Sequence, residues 1–108
     1  MDVELLVIPE CPGTEEASEL LRTALDDIGL AQTPFKVRII ETEETARARR
    51  FAGSPSFLVD GVDLFESGTT GGSMTCRVYS TADGLRNVPG LRDLRKALKV
   101  QAARAARV

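Results

Sequence analysis

Ile8-Pro9-Glu10-Cys11-Pro12-Gly13-Thr14 is the point where an apolar strand runs into an amphipathic helix, with one of the chain's two cysteines at the junction. Before it, Val3-Glu4-Leu5-Leu6-Val7-Ile8 is nearly all apolar, the pattern of a strand covered on both faces. After it the period changes. Ala17, Leu20, Leu21, Ala24, Leu25 and Ile28 recur at three- and four-residue steps, one stripe of a helix. Gly29 stops that stripe, as a glycine just past a last helical turn commonly does.

Downstream, Phe35-Lys36-Val37-Arg38-Ile39-Ile40 alternates like a strand. Thr42 can cap a short second helix to about residue 50, with Glu43 four residues before Arg47 in the favourable order. Such a strand–helix–strand crossover is right-handed and makes its two strands parallel. Asp60-Gly61, between Phe57-Leu58-Val59 and Val62-Asp63-Leu64-Phe65, is a two-residue hairpin signal. The stretch 67–73 (Ser-Gly-Thr-Thr-Gly-Gly-Ser) has no periodicity and predicts a mobile loop. Cys76-Arg77-Val78-Tyr79 predicts a short β-like run. Pro89 and Gly90 open a last helix whose apolar face is Leu91, Leu94, Leu98 and Ala102. Its basic tail, with Arg104 and Arg107, suits the negative end of the helix dipole. The predicted fold is α/β, in the order β-α-β-α-β-β-α. It is a single domain over residues 1–108, a four-stranded mixed sheet flanked by helices, with an extra loop and β segment at about 66–88.

At 108 residues, 43% hydrophobic and 28% charged, the composition is that of an ordinary soluble domain. A net charge of −2 offers no general attraction to nucleic acid or to an anionic membrane. No segment approaches the ~20 apolar residues of a membrane span and no leader pattern is present, so the cytoplasm is the expected compartment. Histidine and tryptophan are absent. That removes the usual imidazole base, the commonest metal ligand and any Ser-His-Asp triad. Two cysteines in such a chain are more naturally free, metal-binding or catalytic than a structural staple.

Cys11 is expected near the helix N-cap, with Pro12 at the first helical position, where its missing donor costs nothing. A thiolate there faces unpaired backbone N–H groups and the positive end of the helix dipole. Thr14, one turn along, is placed to donate its hydroxyl to the sulfur. Glu10, Glu15 and Glu16 oppose a negative charge, so the expected activation is modest. The rival reading is a buried cysteine acting as a small hydrophobe. Cys76 either resolves a mixed disulfide at Cys11 or simply faces the core from its short strand. Cα atoms more than ~7 Å apart cannot be bridged without movement. If the two cysteines converge, the charge of Arg77 would offset the glutamates around Cys11.

The element order, with Cys11 at the start of the first helix and Ser54-Pro55 just before the third strand, resembles the thioredoxin-like superfamily. A narrower likeness is to small bacterial thioredoxin-like proteins, some labelled alkylmercury lyase-like. It rests on Cys11-Pro12, Gly53-Ser54-Pro55, Asp60-Gly61 and Cys76-Arg77-Val78-Tyr79. The resemblance implies a cis Ser54-Pro55 bond beside the thiol, with the adjoining backbone open to pair with an extended substrate. The chain departs from the dithiol relatives at Thr14, where they carry a second cysteine. An attack by Cys11 on a disulfide then stops at the mixed disulfide until another thiol resolves it.

The expected activity is thiol–disulfide exchange, with Cys11 as nucleophile, Cys76 as candidate resolving thiol, Thr14 in support and Pro55 shaping the site. Pro12, Ser54 and Arg77 are the expected substrate contacts. The expected partners are protein or low-molecular-weight thiols and disulfides, with glutathione or thioredoxin as an external thiol and no resident cofactor. Two alternatives stand beside it. One is a soft-metal or organomercurial site made by Cys11 and Cys76. The other is a non-catalytic interaction module working through the hairpin edge or the last helix.

Overall fold

The computed structural model describes residues 1–65 and 74–105, so the expected loop at 67–73 and Arg107 lie outside the described residues. The nearly unbroken apolar run becomes β1 (Val3–Val7), buried along its whole length as an inner strand. β2 (Phe35–Ile39) runs parallel to it on one side, with Leu5 opposite Val37 and Val7 opposite Ile39. On the other side β3 (Ser56–Val59) runs antiparallel, with Leu5 opposite Phe57. β4 (Val62–Asp63) pairs with β3 and completes the order β2-β1-β3-β4. The turn between them has Asp60 at φ 51 and Gly61 at φ 80. Two successive left-handed residues are what a tight hairpin needs to match the strand twist.

Among the described residues, three helices cover this mixed sheet. α1 (Thr14–Asp27) and α3 (Leu91–Ala105) share one face, where Leu21, Leu25, Leu94 and Leu98 pack with Leu5 and Phe57. α2 (Glu43–Ala48) lies on the other, with Ala46, Ile40 and Phe51 packed against Leu6 and Leu58. The Thr42 hydroxyl caps α2 as expected, accepting from the Thr45 N–H at 3.1 Å. Each buried Leu or Phe contributes ~1.5–3 kcal/mol, so the larger cluster under α1 and α3 carries most of the hydrophobic stabilisation.

Alternation along β1 places Glu4 on the α2 face, where it is buried. Arg38 and Arg49 both pair with its carboxylate, Arg49 at 3.0 Å. Burial alone pushes that carboxyl up, but the hydrogen bonds and charges of Arg49 and Arg38 outweigh it and hold Glu4 below its ordinary value.

After β4 the structure is more elaborate than the sequence predicts. Cys76 forms a single parallel bridge with Ser54. β5 (Tyr79–Thr81) and β6 (Gly84–Arg86) then make a separate antiparallel hairpin. Tyr79 reaches from that hairpin into the core, edge-on to Phe57 and Phe65, and its hydroxyl donates to the Pro55 carbonyl. Burial pushes the Tyr79 phenol well above its ordinary value. Among the described residues, no helix is long and apolar enough to cross a membrane.

Candidate functional site

The strand-to-helix junction turns at Pro9 and Glu10. Glu10 adopts a left-handed backbone, φ 58, uncommon for a residue other than glycine. The turn brings the Cys11 N–H onto the Ile8 carbonyl at 3.3 Å. α1 begins at Thr14 with Gly13 as its N-cap. Pro12 therefore precedes the helix instead of opening it, and Cys11 stands two residues before the cap. Thr14 meets Cys11 through the backbone, its N–H donating to the Cys11 carbonyl at 3.2 Å.

Cys11 is only 9% exposed and packs with the α1/α3 core, as the small-hydrophobe reading expects. It also lines a half-open cleft of about 400 Å³, together with Pro12 and Thr14. One wall of the cleft is Val37 and Ile39 of β2, which are 45% and 55% exposed. The alternation of β2 is as the sequence predicts, yet its apolar side borders the thiol cleft instead of disappearing into the core. Glu10 and Glu15, both exposed, line the cleft as well.

The β3 side of the junction is built differently. The β1–β3 register, extended by two residues, sets Ile8 opposite Ser54, and the Ile8 N–H donates to Ser54 Oγ at 3.1 Å. The Ser54-Pro55 peptide is cis. Ser54 is fully buried. Its N–H donates to the Thr75 carbonyl at 2.8 Å, and its carbonyl accepts from the Arg77 N–H at 2.9 Å. These are the backbone groups that the resemblance leaves open to an extended substrate. In this structure the chain's own residues 75–77 occupy them.

Arg77 is engaged away from the glutamates of the Cys11 turn. Its guanidinium is buried, with Nη1 2.8 Å from Asp63 Oδ2 and 3.1 Å from Ser56 Oγ, and Nη2 donating to the Phe65 carbonyl at 2.7 Å. It also lies 4.8 Å from the centre of the Tyr79 ring. Arg77 braces β3, β4 and residues 75–79 together; its charge is engaged by Asp63, not by the glutamates near Cys11.

Cys76 is exposed, so it does not face the core, and both cysteines are free thiols. Cys76 lies on the backbone that bridges to Ser54, which in turn stands opposite Ile8. The cleft that Cys11 lines is walled by β2 residues, and Cys76 is not among its lining residues.

Asn87 carries no motif in the sequence, yet it joins the site. Its Nδ2 donates to the Ser54 carbonyl at 3.2 Å and to the Arg77 carbonyl at 2.9 Å. Among the described residues its Oδ1 is buried without a hydrogen-bond partner. A Cβ added to Gly13 would lie 2.1 Å from that oxygen, so the bare Gly13 is what lets Asn87 reach the start of α1. A lone asparagine after a hairpin carries no sequence signal of this role.

Among the described residues, no group of three or more His, Cys, Asp or Glu side chains is gathered to hold a metal ion. Comparison of the chain with protein-family models, with characterised proteins and with solved structures finds no match.

Proposed function

We propose that this chain is a thioredoxin-like thiol protein that exchanges with disulfides through Cys11, acting in the cytoplasm with an external thiol. The observation that carries the reading is the double use of Ile8. Its carbonyl accepts from the Cys11 N–H and its N–H donates to Ser54 Oγ, so the thiol and the Ser54-Pro55 segment share one framework. The strand order β2-β1-β3-β4, with the first two strands parallel, is in keeping with the thioredoxin-like resemblance.

The Cys11 thiolate attacks one sulfur of a disulfide. The old S–S bond breaks, a Cys11 mixed disulfide forms, and the leaving thiolate takes up a proton from solvent. A second thiol then attacks the mixed disulfide and regenerates Cys11. Both cysteines are free, Cys11 buried and Cys76 exposed, and the thiol assigned to that role here is an external one.

The test uses folded protein, 2-hydroxyethyl disulfide and peptide mapping by mass spectrometry. The expected adduct is on Cys11, persists in Cys76→Ser, is missing from Cys11→Ser and is reversed by 2-mercaptoethanol. An adduct on Cys11 that forms only in denaturant would overturn the reading.

A further inference from the structure

We propose that the Cys11 cleft selects low-molecular-weight disulfides that carry a positive charge on an aliphatic body, and that it works against anionic ones such as glutathione disulfide. The inference rests on the thiol-exchange reading and adds a substrate class to it.

Three features of the cleft argue for this class. The first is charge. Glu10 and Glu15 line the cleft, and among the described residues no Lys or Arg does. Among the described residues neither carboxylate has an ion-pair partner, whereas the neighbouring Glu16 is held by Arg86 at 3.0 Å. Two uncompensated carboxylates on the cleft that Cys11 lines attract an ammonium group and repel a carboxylate. The second is the wall. Val37 and Ile39 stay half exposed on an edge strand, and covering them with methylene groups removes apolar surface from water. The third is size. About 400 Å³ suits a small molecule. The backbone groups of Ser54 on which an extended peptide would pair are already taken by residues 75–77.

The exchange itself is unchanged. Cys11 displaces one half of the disulfide as a thiolate, which takes up a proton, and the ammonium-bearing half stays bound to sulfur. Its charged end would lie toward Glu10 and Glu15 and its methylenes against Val37 and Ile39.

The experiment compares three small disulfides: cystamine (cationic), 2-hydroxyethyl disulfide (neutral) and 3,3′-dithiodipropionate (anionic). Second-order rates are measured on folded Cys76→Ser protein, and each is divided by the rate of N-acetylcysteine amide, which removes intrinsic reactivity. The expected normalised order is cationic, neutral, anionic, with roughly tenfold between the extremes at low salt and less at high salt. In Glu10→Gln/Glu15→Gln the ratio should collapse toward one.

Measurable reaction with no charge order, or a ratio unmoved in the double variant, would overturn the selectivity and leave the thiol reading standing. No reaction of Cys11 with any of the three would overturn both. A cationic peptide disulfide that reacts faster than cystamine would overturn the assignment to small molecules.

Discussion

The two flanks of the β1 end are built on opposite plans. On the β3 side, Ser54 bonds to Ile8, Thr75, Arg77 and Asn87, and Arg77 continues the network to Asp63, Ser56 and the Phe65 carbonyl. On the β2 side, Val37 and Ile39 are half exposed and a cleft reaches Cys11. The closed flank is held through Ser54; the open flank carries a cleft that Cys11 lines. Buried polar groups are costly to leave unpaired, so the closed flank should be sensitive to substitution. The open flank should tolerate changes in stability terms and register them in reactivity.

The strongest way to break the comparison is Arg77→Ala. It leaves Asp63, Ser56 and the Phe65 carbonyl without their shared donor, and the expected loss is about 3 kcal/mol. Asp63 is partly exposed, which holds the loss below that of a fully buried pair. A urea midpoint corresponding to less than about 1 kcal/mol would mean that the flank is not closed in the sense argued.

Gly13→Ala comes next. Its Cβ would meet Asn87 Oδ1, so Asn87 or the start of α1 must shift, at a cost of about 1–3 kcal/mol. Combining it with Asn87→Ala should give less than the sum of the single effects, because the clash disappears with the amide. Strict additivity would separate Gly13 from Asn87.

Glu4 gives a pH dependence of known sign. Its carboxyl is held below the ordinary value of 4.5. The stabilisation is therefore complete above about pH 4.5 and is lost as pH falls through the lower folded value. Glu4→Gln should cost about 1–2 kcal/mol at pH 7, and its deficit against the parent should shrink as pH falls below 4.5. A deficit independent of pH would contradict the charged pairing with Arg38 and Arg49.

The smallest effect on stability belongs to the open flank. Val37→Thr and Ile39→Thr should each change stability by within ~0.5 kcal/mol. The rate at which Cys11 takes up an apolar disulfide should nonetheless fall by about threefold. A large stability loss with an unchanged rate would invert the comparison.

The first half of the chain was legible because each element carries its own signal. The apolar run of β1, the three- and four-residue stripe of α1, the Thr42 cap and the Asp60-Gly61 turn all appear in the structure. The thiol at the strand end was legible for the same reason. The β5–β6 hairpin was not, although Asp83-Gly84 repeats the Asp60-Gly61 signature, because its strands are short and mostly polar. The roles of Arg77, Asn87 and residues 75–77 depend on contacts between positions far apart in sequence, which no local pattern encodes. The exposure of Val37 and Ile39 was hidden too. An alternating strand reads the same whether its apolar side is covered or borders a cleft.

The most direct test of the central claim is a crystal structure of the Cys76→Ser protein carrying a 2-hydroxyethyl mixed disulfide on Cys11. The account predicts that the added carbons lie against Val37 and Ile39 on the β2 side, with the hydrogen bonds of Ser54 to Thr75 and Arg77 intact. An adduct lying against Pro55 with residues 75–77 displaced from Ser54 would contradict it.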